Sequence, residues 1–213
     1  MSDLRFYGAI GAFYMALAYA VAIVFFLVVL DYANMTDPAD KVALLLDRGG
    51  LIWGSNLLLY VFFAPILAVF VLAMHDLHAD AAPGIARVAM VIGIIWAGLL
   101  IASGLVANAA IGPITALHGT DPAAAIALWS ANDAVANGLG GGAGEVAGGL
   151  MTLLFGLAGL RSARIPNLLA YLGLLVGAIG LISSLPGLHD LGALFGITQI
   201  FWFAWSGIVL IRG

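Results

Sequence analysis

Apolar residues run through this chain in long blocks separated by short polar interruptions. A helix needs about 20 apolar residues to cross the hydrocarbon core of a bilayer. Six runs meet that length, at roughly 6–31, 51–74, 86–111, 138–160, 166–185 and 191–211. A β-barrel would instead alternate polar lumen residues with apolar ones along every strand, and no such alternation is present. The pattern predicts an all-α, polytopic integral membrane protein: a six-transmembrane-helix bundle forming a single membrane domain over 1–213. The polar interruptions add two short helices. Asp37-Pro38 pairs an N-cap with a proline at the first helical position, which predicts a helix over 38–47. Thr120-Asp121-Pro122 repeats the device and predicts a helix over 122–136, with Trp129 as an interface anchor. Both are expected to lie at the extracytoplasmic interface. The shared Thr-Asp-Pro-Ala is either a trace of a hairpin repeat or one capping solution used twice.

Composition sharpens the class. Hydrophobic residues make up 64% of the 213 and charged residues 8%, with a mean hydropathy of +1.15. Globular domains carry about 25% charged residues, so a soluble domain, a disordered chain and a coiled coil are excluded. The net charge is −4 and no basic run exists, which argues against nucleic acid as a partner. With no cysteine, disulfides, thiolate metal centres and palmitoylation are excluded. No small-residue cleavage site precedes a soluble domain, so the first apolar run is expected to stay in the membrane. Basic residues set the orientation. Arg5, Arg87, Arg161, Arg164 and Arg212 fall on one side, Lys41 and Arg48 on the other. That predicts both termini in the cytoplasm.

Polar side chains inside a bilayer are costly and normally face protein or a water-filled cavity. Under this topology Asn56, Ser103, Asn108, Asn137, Glu145, Ser183 and Gln199 all fall in the outer half, above an apolar plug in which Thr152 is the main exception. The fourth run is the most informative. Asp133, Asn137, Gly141, Glu145, Gly148, Thr152, Gly156 and Gly159 recur at steps of three and four, hence on one helix face. Its lower part is a small-residue seam for close helix packing, carried by Gly141, Gly148, Gly149 and Gly156. Gly140, Gly144 and Gly148 form a G-x-x-x-G series beside it, and Gly173/Gly177 and Gly192/Gly196 give similar strips. The run Gly138 to Gly142 lowers helix propensity, so a kink is expected there. Glu145 sits where seam and polar part meet. It is read as a hydrogen-bonded structural residue, a ligand anchor or a general acid/base. Candidate ligand-binding residues are Glu145, Asn56, Asn108, Asn137 and Gln199.

Other chemistry is weaker. His75 and His78 have H-x-x-H spacing but read as a solvated helix end. His118, Asp121, Asp133, His189 and Asp190 are of metal-ligating types without any hydrolytic spacing. No G-x-S-x-G, H-E-x-x-H or P-loop occurs. No histidine or lysine lies inside a predicted span, which disfavours haem and retinal. The aromatics Phe25, Phe26, Tyr60, Phe62, Phe63, Trp96, Phe201, Trp202, Phe203 and Trp205 read mostly as lipid-facing or belt residues.

The segment Glu145-Val-Ala-Gly-Gly-Leu-Met-Thr-Leu-Leu-Phe-Gly-Leu-Ala-Gly-Leu-Arg-Ser, followed by Ile165-Pro166-Asn-Leu-Leu-Ala-Tyr-Leu-Gly, resembles a family of uncharacterised bacterial six-pass membrane proteins, domain-of-unknown-function family 4386. The E-x-x-G-G segment, the short Arg-Ser link and the P-x-x-L-x-x-L-G helix carry the resemblance. It implies six helices in a bacterial inner (plasma) membrane, singles out Glu145, Gly148 and Gly149, and implies no activity. The expected function is an integral membrane protein with an outward polar cavity for a small or lipid-like ligand. Alternatives are an accessory subunit docking on other membrane subunits, and a membrane-embedded enzyme using Glu145.

Overall fold

The computed structural model describes residues 3–141 and 145–212. It is 87% helix, with no strand among the described residues. Helix α1 (Asp3–Val24) continues as a π-helical turn, Phe25–Val29. A left-handed Asp31 (φ 53°) and a 3-10 turn at Tyr32–Asn34 reverse the chain. Helix α2 (Pro38–Asn56) starts where its sequence says. Asp37 accepts a hydrogen bond from the Ala39 amide at 2.8 Å, with Pro38 in the first turn. A non-helical Arg48 (φ −122°, ψ 25°) breaks α2 into a short first part and a second part. That second part runs through a π-turn (Leu57–Val61) into α3 (Phe63–His78). Helix α4 spans Pro83–His118 and α5 spans Pro122–Ala136, the latter capped by Asp121. A third π-turn, Asn137–Gly141, follows, then α6 (Val146–Ser162), α7 (Asn167–Ile182) and α8 (Leu191–Arg212).

Among the described residues four stretches are long and apolar enough to cross a membrane: Asp3–Val29, Pro38–His78, Pro83–His118 and Leu191–Arg212. Helices α6 and α7 are apolar but shorter, at 17 and 16 residues. The outward faces are apolar too. Val28 is 73% exposed, Leu168 66% and Leu17 63%, which suits a lipid surround and not water.

Helices α1, α3, α4, α6, α7 and α8 pack in chain order into a closed ring. Its core is built of large side chains, not only small ones. Trp96, Trp202, Phe155, Phe195 and Phe203 are fully buried, and Phe70 meets Trp202 and Phe203 edge-to-face at 5.6 and 5.3 Å. The expectation that Phe63, Trp96, Trp202 and Phe203 face lipid is therefore corrected. The reason is glycine. A Cβ on Gly148 would lie 2.7 Å from the Trp96 ring, and one on Gly173 would lie 2.8 Å from Trp202 Nε1, so each missing side chain leaves room for an indole. Between α6 and α7 the backbones themselves meet. A Cβ on Gly149 would approach Gly177 O at 2.9 Å, and one on Gly156 would approach Ala170 O at 2.7 Å.

The opposite design holds the two ends. At one end, the first part of α2, the last turns of α4 and α5 bury Val42, Leu45, Ile114 and Ala125 in a second small core, here called the cap. The predicted third run ended near 111, whereas α4 continues through Pro113 to His118 because Ala110 and Ile114 are buried against this cap. At the other end, the base, Arg5 Nε pairs with Asp76 Oδ2 at 2.7 Å. His78 is fully buried there, its Nδ1 2.7 Å from Ser162 Oγ. The expected solvated terminus is corrected for His78, since the α3 and α6 ends close over it.

Placing a methyl at Gly149 or Gly156 forces α6 off α7 and should cost about 1–3 kcal/mol. Gly98→Ala meets nothing within 4 Å among the described residues and should be neutral or stabilising by up to about 1 kcal/mol. Thermal unfolding in detergent measures the contrast. Equal Tm values for the three variants would contradict the packing assigned to α6 and α7.

Candidate functional site

The larger of two cavities, about 270 Å³, lies between the cap and the bundle; the smaller, about 110 Å³, is lined by bundle residues such as Ala18, Tyr19 and Leu100. Phe26 and Tyr60 line both, so the two adjoin. All three π-turns among the described residues contribute to the walls. Phe25–Val29 supplies Phe26, Leu57–Val61 supplies Leu59 and Tyr60, and Asn137–Gly141 supplies Asn137 and Gly140. A π-turn inserts one residue into a helix and splays its carbonyls. Side-chain donors satisfy two of them: Tyr14 OH donates to Leu58 O at 2.7 Å and Arg48 Nη1 to Val29 O at 3.0 Å.

The larger cavity mixes charge, amide and aromatic surface. Lys41 Nζ stands 4.4 Å from the centroid of the Tyr32 ring and 5.5 Å from that of Trp129, a cation–π arrangement. Asp133 accepts from Asn137 Nδ2 at 2.9 Å and from Tyr32 OH at 3.5 Å. Outside the spans these contacts act on protonation. Burial foremost raises the Asp133 carboxyl above the usual range, against the opposing pull of Lys41, Tyr32 and Asn137. Burial, then Asp133, likewise raises the Tyr32 hydroxyl. Deeper, Asn56 Nδ2 donates to Asn108 Oδ1 at 2.9 Å and Asn108 Nδ2 to Trp53 O at 3.1 Å. Ser103 Oγ donates to Ala136 O at 2.8 Å.

Glu145 lines the smaller cavity with Tyr19, Phe26, Tyr60 and Phe63. The fourth run was expected to place it two turns inside a helix. It instead stands at the N-cap position of α6 (φ −94°, ψ 45°), without a side-chain capping hydrogen bond. The glycines explain the shift: Gly140 takes φ 134°, open only to glycine, and the helix resumes at Val146. Gly142 and Gly144 lie outside the described residues. Among the described residues the Glu145 carboxyl has no hydrogen-bond or ion-pair partner, and the Tyr19 and Tyr60 hydroxyls, within its electrostatic range, have none either.

No family model, curated protein or solved structure matches the chain.

The remaining predicted site residues divide. Asn56, Asn137 and Glu145 line the cavities, while Asn108 backs Asn56 from behind. Gln199 is fully buried in the core and exchanges hydrogen bonds with Thr152 (3.1 and 3.4 Å), away from both cavities. Gly148, Gly149 and Gly156 pack as described, and Gly141 closes the third π-turn. His118 and Asp121 flank the α4–α5 corner and His189 and Asp190 precede α8. Among the described residues no three His, Asp or Glu side chains converge. Sequence reasoning missed Tyr19, Phe26, Tyr32, Lys41 and Tyr60. One signal was available: Lys41 is the only lysine and Glu145 the only glutamate in the sequence, and both line these cavities.

The raised Asp133 carboxyl sets a pH dependence. The folded state holds this proton more tightly than the unfolded chain, so the contribution is full below the ordinary Asp value, about 4. It is lost as pH rises through the folded value. Thermal stability in detergent should therefore fall across that mildly acidic window, and Asp133→Asn should flatten the fall; a slope unchanged in the variant contradicts it.

Proposed function

We propose that this chain is a six-pass integral inner-membrane protein whose cavities bind a small or lipid-like amphiphile from the extracytoplasmic side. Membership of the bacterial six-pass family that the E-x-x-G-G segment resembles belongs to the same proposal. One observation carries the reading. The chain's single glutamate and single lysine line two adjoining cavities whose other walls are largely aromatic and aliphatic. Pockets of that mixture hold molecules with an apolar body and a polar group.

Four long apolar stretches support membrane insertion. Helices α6 and α7 are each about 25 Å long at 1.5 Å per residue. They complete the ring between longer neighbours, and a locally thinned bilayer accommodates such spans. The first part of α2 and all of α5 then lie along the interface, with Trp129 at headgroup depth. The base carries Arg5, Arg87, Arg161, Arg164 and Arg212 and the cap only Lys41 and Arg48, which supports a cytoplasmic base with both termini inside. Phe70, Phe155, Met151 and Trp202 fill the bundle below the cavities, a composition unsuited to a through-channel. An accessory subunit docking through its glycine faces would need them open, but Gly149, Gly156, Gly173 and Gly177 are used within the chain. An enzyme using Glu145 with His118 or His189 would need these beside it, and neither lines the cavities among the described residues.

Native mass spectrometry of the purified protein tests the binding reading. An adduct of amphiphile mass is expected, and it should be lost in Ala107→Phe, which fills the larger cavity; an adduct-free wild type would sink the proposal. Cysteines introduced at Ala39 and Ala123 should label with impermeant maleimide only from outside intact cells, and one at Asp80 only after lysis. Reversed labelling would overturn the orientation.

A further inference from the structure

The geometry points to an organic cation, a small amine or quaternary ammonium with an apolar substituent, as the ligand class of the smaller cavity, with Glu145 as counter-ion and Tyr19, Phe26, Tyr60 and Phe63 as its walls. This deepens the cavity reading above and rests on it.

The chemistry of the walls selects the charge. Among the described residues the Glu145 carboxyl has no partner, and the cavity it lines also carries the rings of Tyr19, Phe26, Tyr60 and Phe63; carboxylate and ring faces both attract a cation and neither attracts an anion. Ion pairing acts through low dielectric, and the ring quadrupoles attract positive charge at their faces. The protein already uses the second attraction in the larger cavity, where its only lysine sits over Tyr32 and Trp129. In the smaller cavity no lysine, arginine or histidine is among the lining residues, so the equivalent position is left to a guest. Neighbouring protein groups leave capacity for it. Among the described residues the Glu145 carboxyl and the Tyr19 and Tyr60 hydroxyls make no hydrogen bonds. They can accept two or three N–H donors from a primary ammonium.

The approach is charged in the same sense. Seven aspartates belong to the cap end, Asp31, Asp37, Asp40, Asp47, Asp121, Asp133 and Asp190, against Lys41 and Arg48. A mouth of that sign enriches cations at its surface. The route from it passes Asp133 and then the shared walls Phe26 and Tyr60. A guest with a free apolar tail fits this layout, its tail lying back along Phe26 toward the larger cavity. A cavity of about 110 Å³ limits the bound head to a small group.

Calorimetric titration of the detergent-purified full chain at pH 7 tests the assignment with three probes of one shape: benzylammonium, neutral benzyl alcohol and anionic benzoate. Benzylammonium should bind at least about tenfold more tightly than the other two, and Glu145→Gln should erase that preference. Tyr60→Leu should weaken benzylammonium by about threefold to thirtyfold and leave benzyl alcohol within about threefold. If Glu145→Gln fails to fold, the wild-type chain serves instead. Carbodiimide modification of Glu145, read by peptide mass, should be slowed by benzylammonium and not by benzyl alcohol. Equal affinity for the alcohol, an unchanged preference in Glu145→Gln, or no protection overturns the cation assignment. Whether a ligand cavity remains is then decided separately by the co-purified adduct.

Discussion

Close approach at glycine is the constraint on which the rest depends. In lipid, helices gain little from hiding apolar surface, because acyl chains are as apolar as leucine, and van der Waals fit between helices must hold the bundle. Here that fit takes two forms. Gly149, Gly156 and Gly177 let the α6 and α7 backbones touch, and Gly148, Gly173 and Gly180 form hollows for Trp96, Trp202 and Phe195. The first fixes the height of α6 against α7, and therefore where α6 begins. The second fixes its distance from α4 and α8. Glu145 stands immediately before α6, so its position at the cavity wall follows from glycine contacts one turn below.

Polar groups are sorted by depth around that frame. At the base, Arg5–Asp76 and His78–Ser162 tie helix ends together. In mid-bundle, Thr152 and Gln199 satisfy one another in an otherwise apolar core, which a buried amide requires. Below the cap, Asn56–Asn108–Trp53 and Ser103–Ala136 are satisfied as well. His78 Nε2, Trp96 Nε1, Trp202 Nε1 and Ser206 Oγ are buried without a hydrogen-bond partner among the described residues; the Glu145 carboxyl, also without one there, differs in lining a cavity.

What could be read in the sequence was what periodicity and capping chemistry determine. The all-helical apolar class, the Asp37 and Asp121 caps and the loosened stretch after Gly138 all correspond to features of the fold, and four of the apolar stretches among the described residues are long enough to span a membrane. The departures have identifiable causes. Gln199 was grouped with the cavity by depth alone, but depth does not say which neighbour an amide meets, and Thr152 was the nearer partner. Trp96 and Trp202 resembled belt residues because a hollow made by a glycine on another helix leaves no mark beside the indole it receives. The π-turns have no residue signature at all, since Leu57–Val61 is as apolar as any helical segment. They were invisible, and with them the walls of the site.

Helix α4 joins the two halves of the molecule in a single piece. Its 36 residues extend about 54 Å at 1.5 Å per residue, well beyond the ~30 Å hydrocarbon thickness. The lower part is gripped by α3 and α6 and the upper part by α2 and α5. Because this clamped rod is continuous, the two clamps can shift against each other only if α4 itself bends between them, where Ser103, Gly104 and Ala107 form one side of the larger cavity.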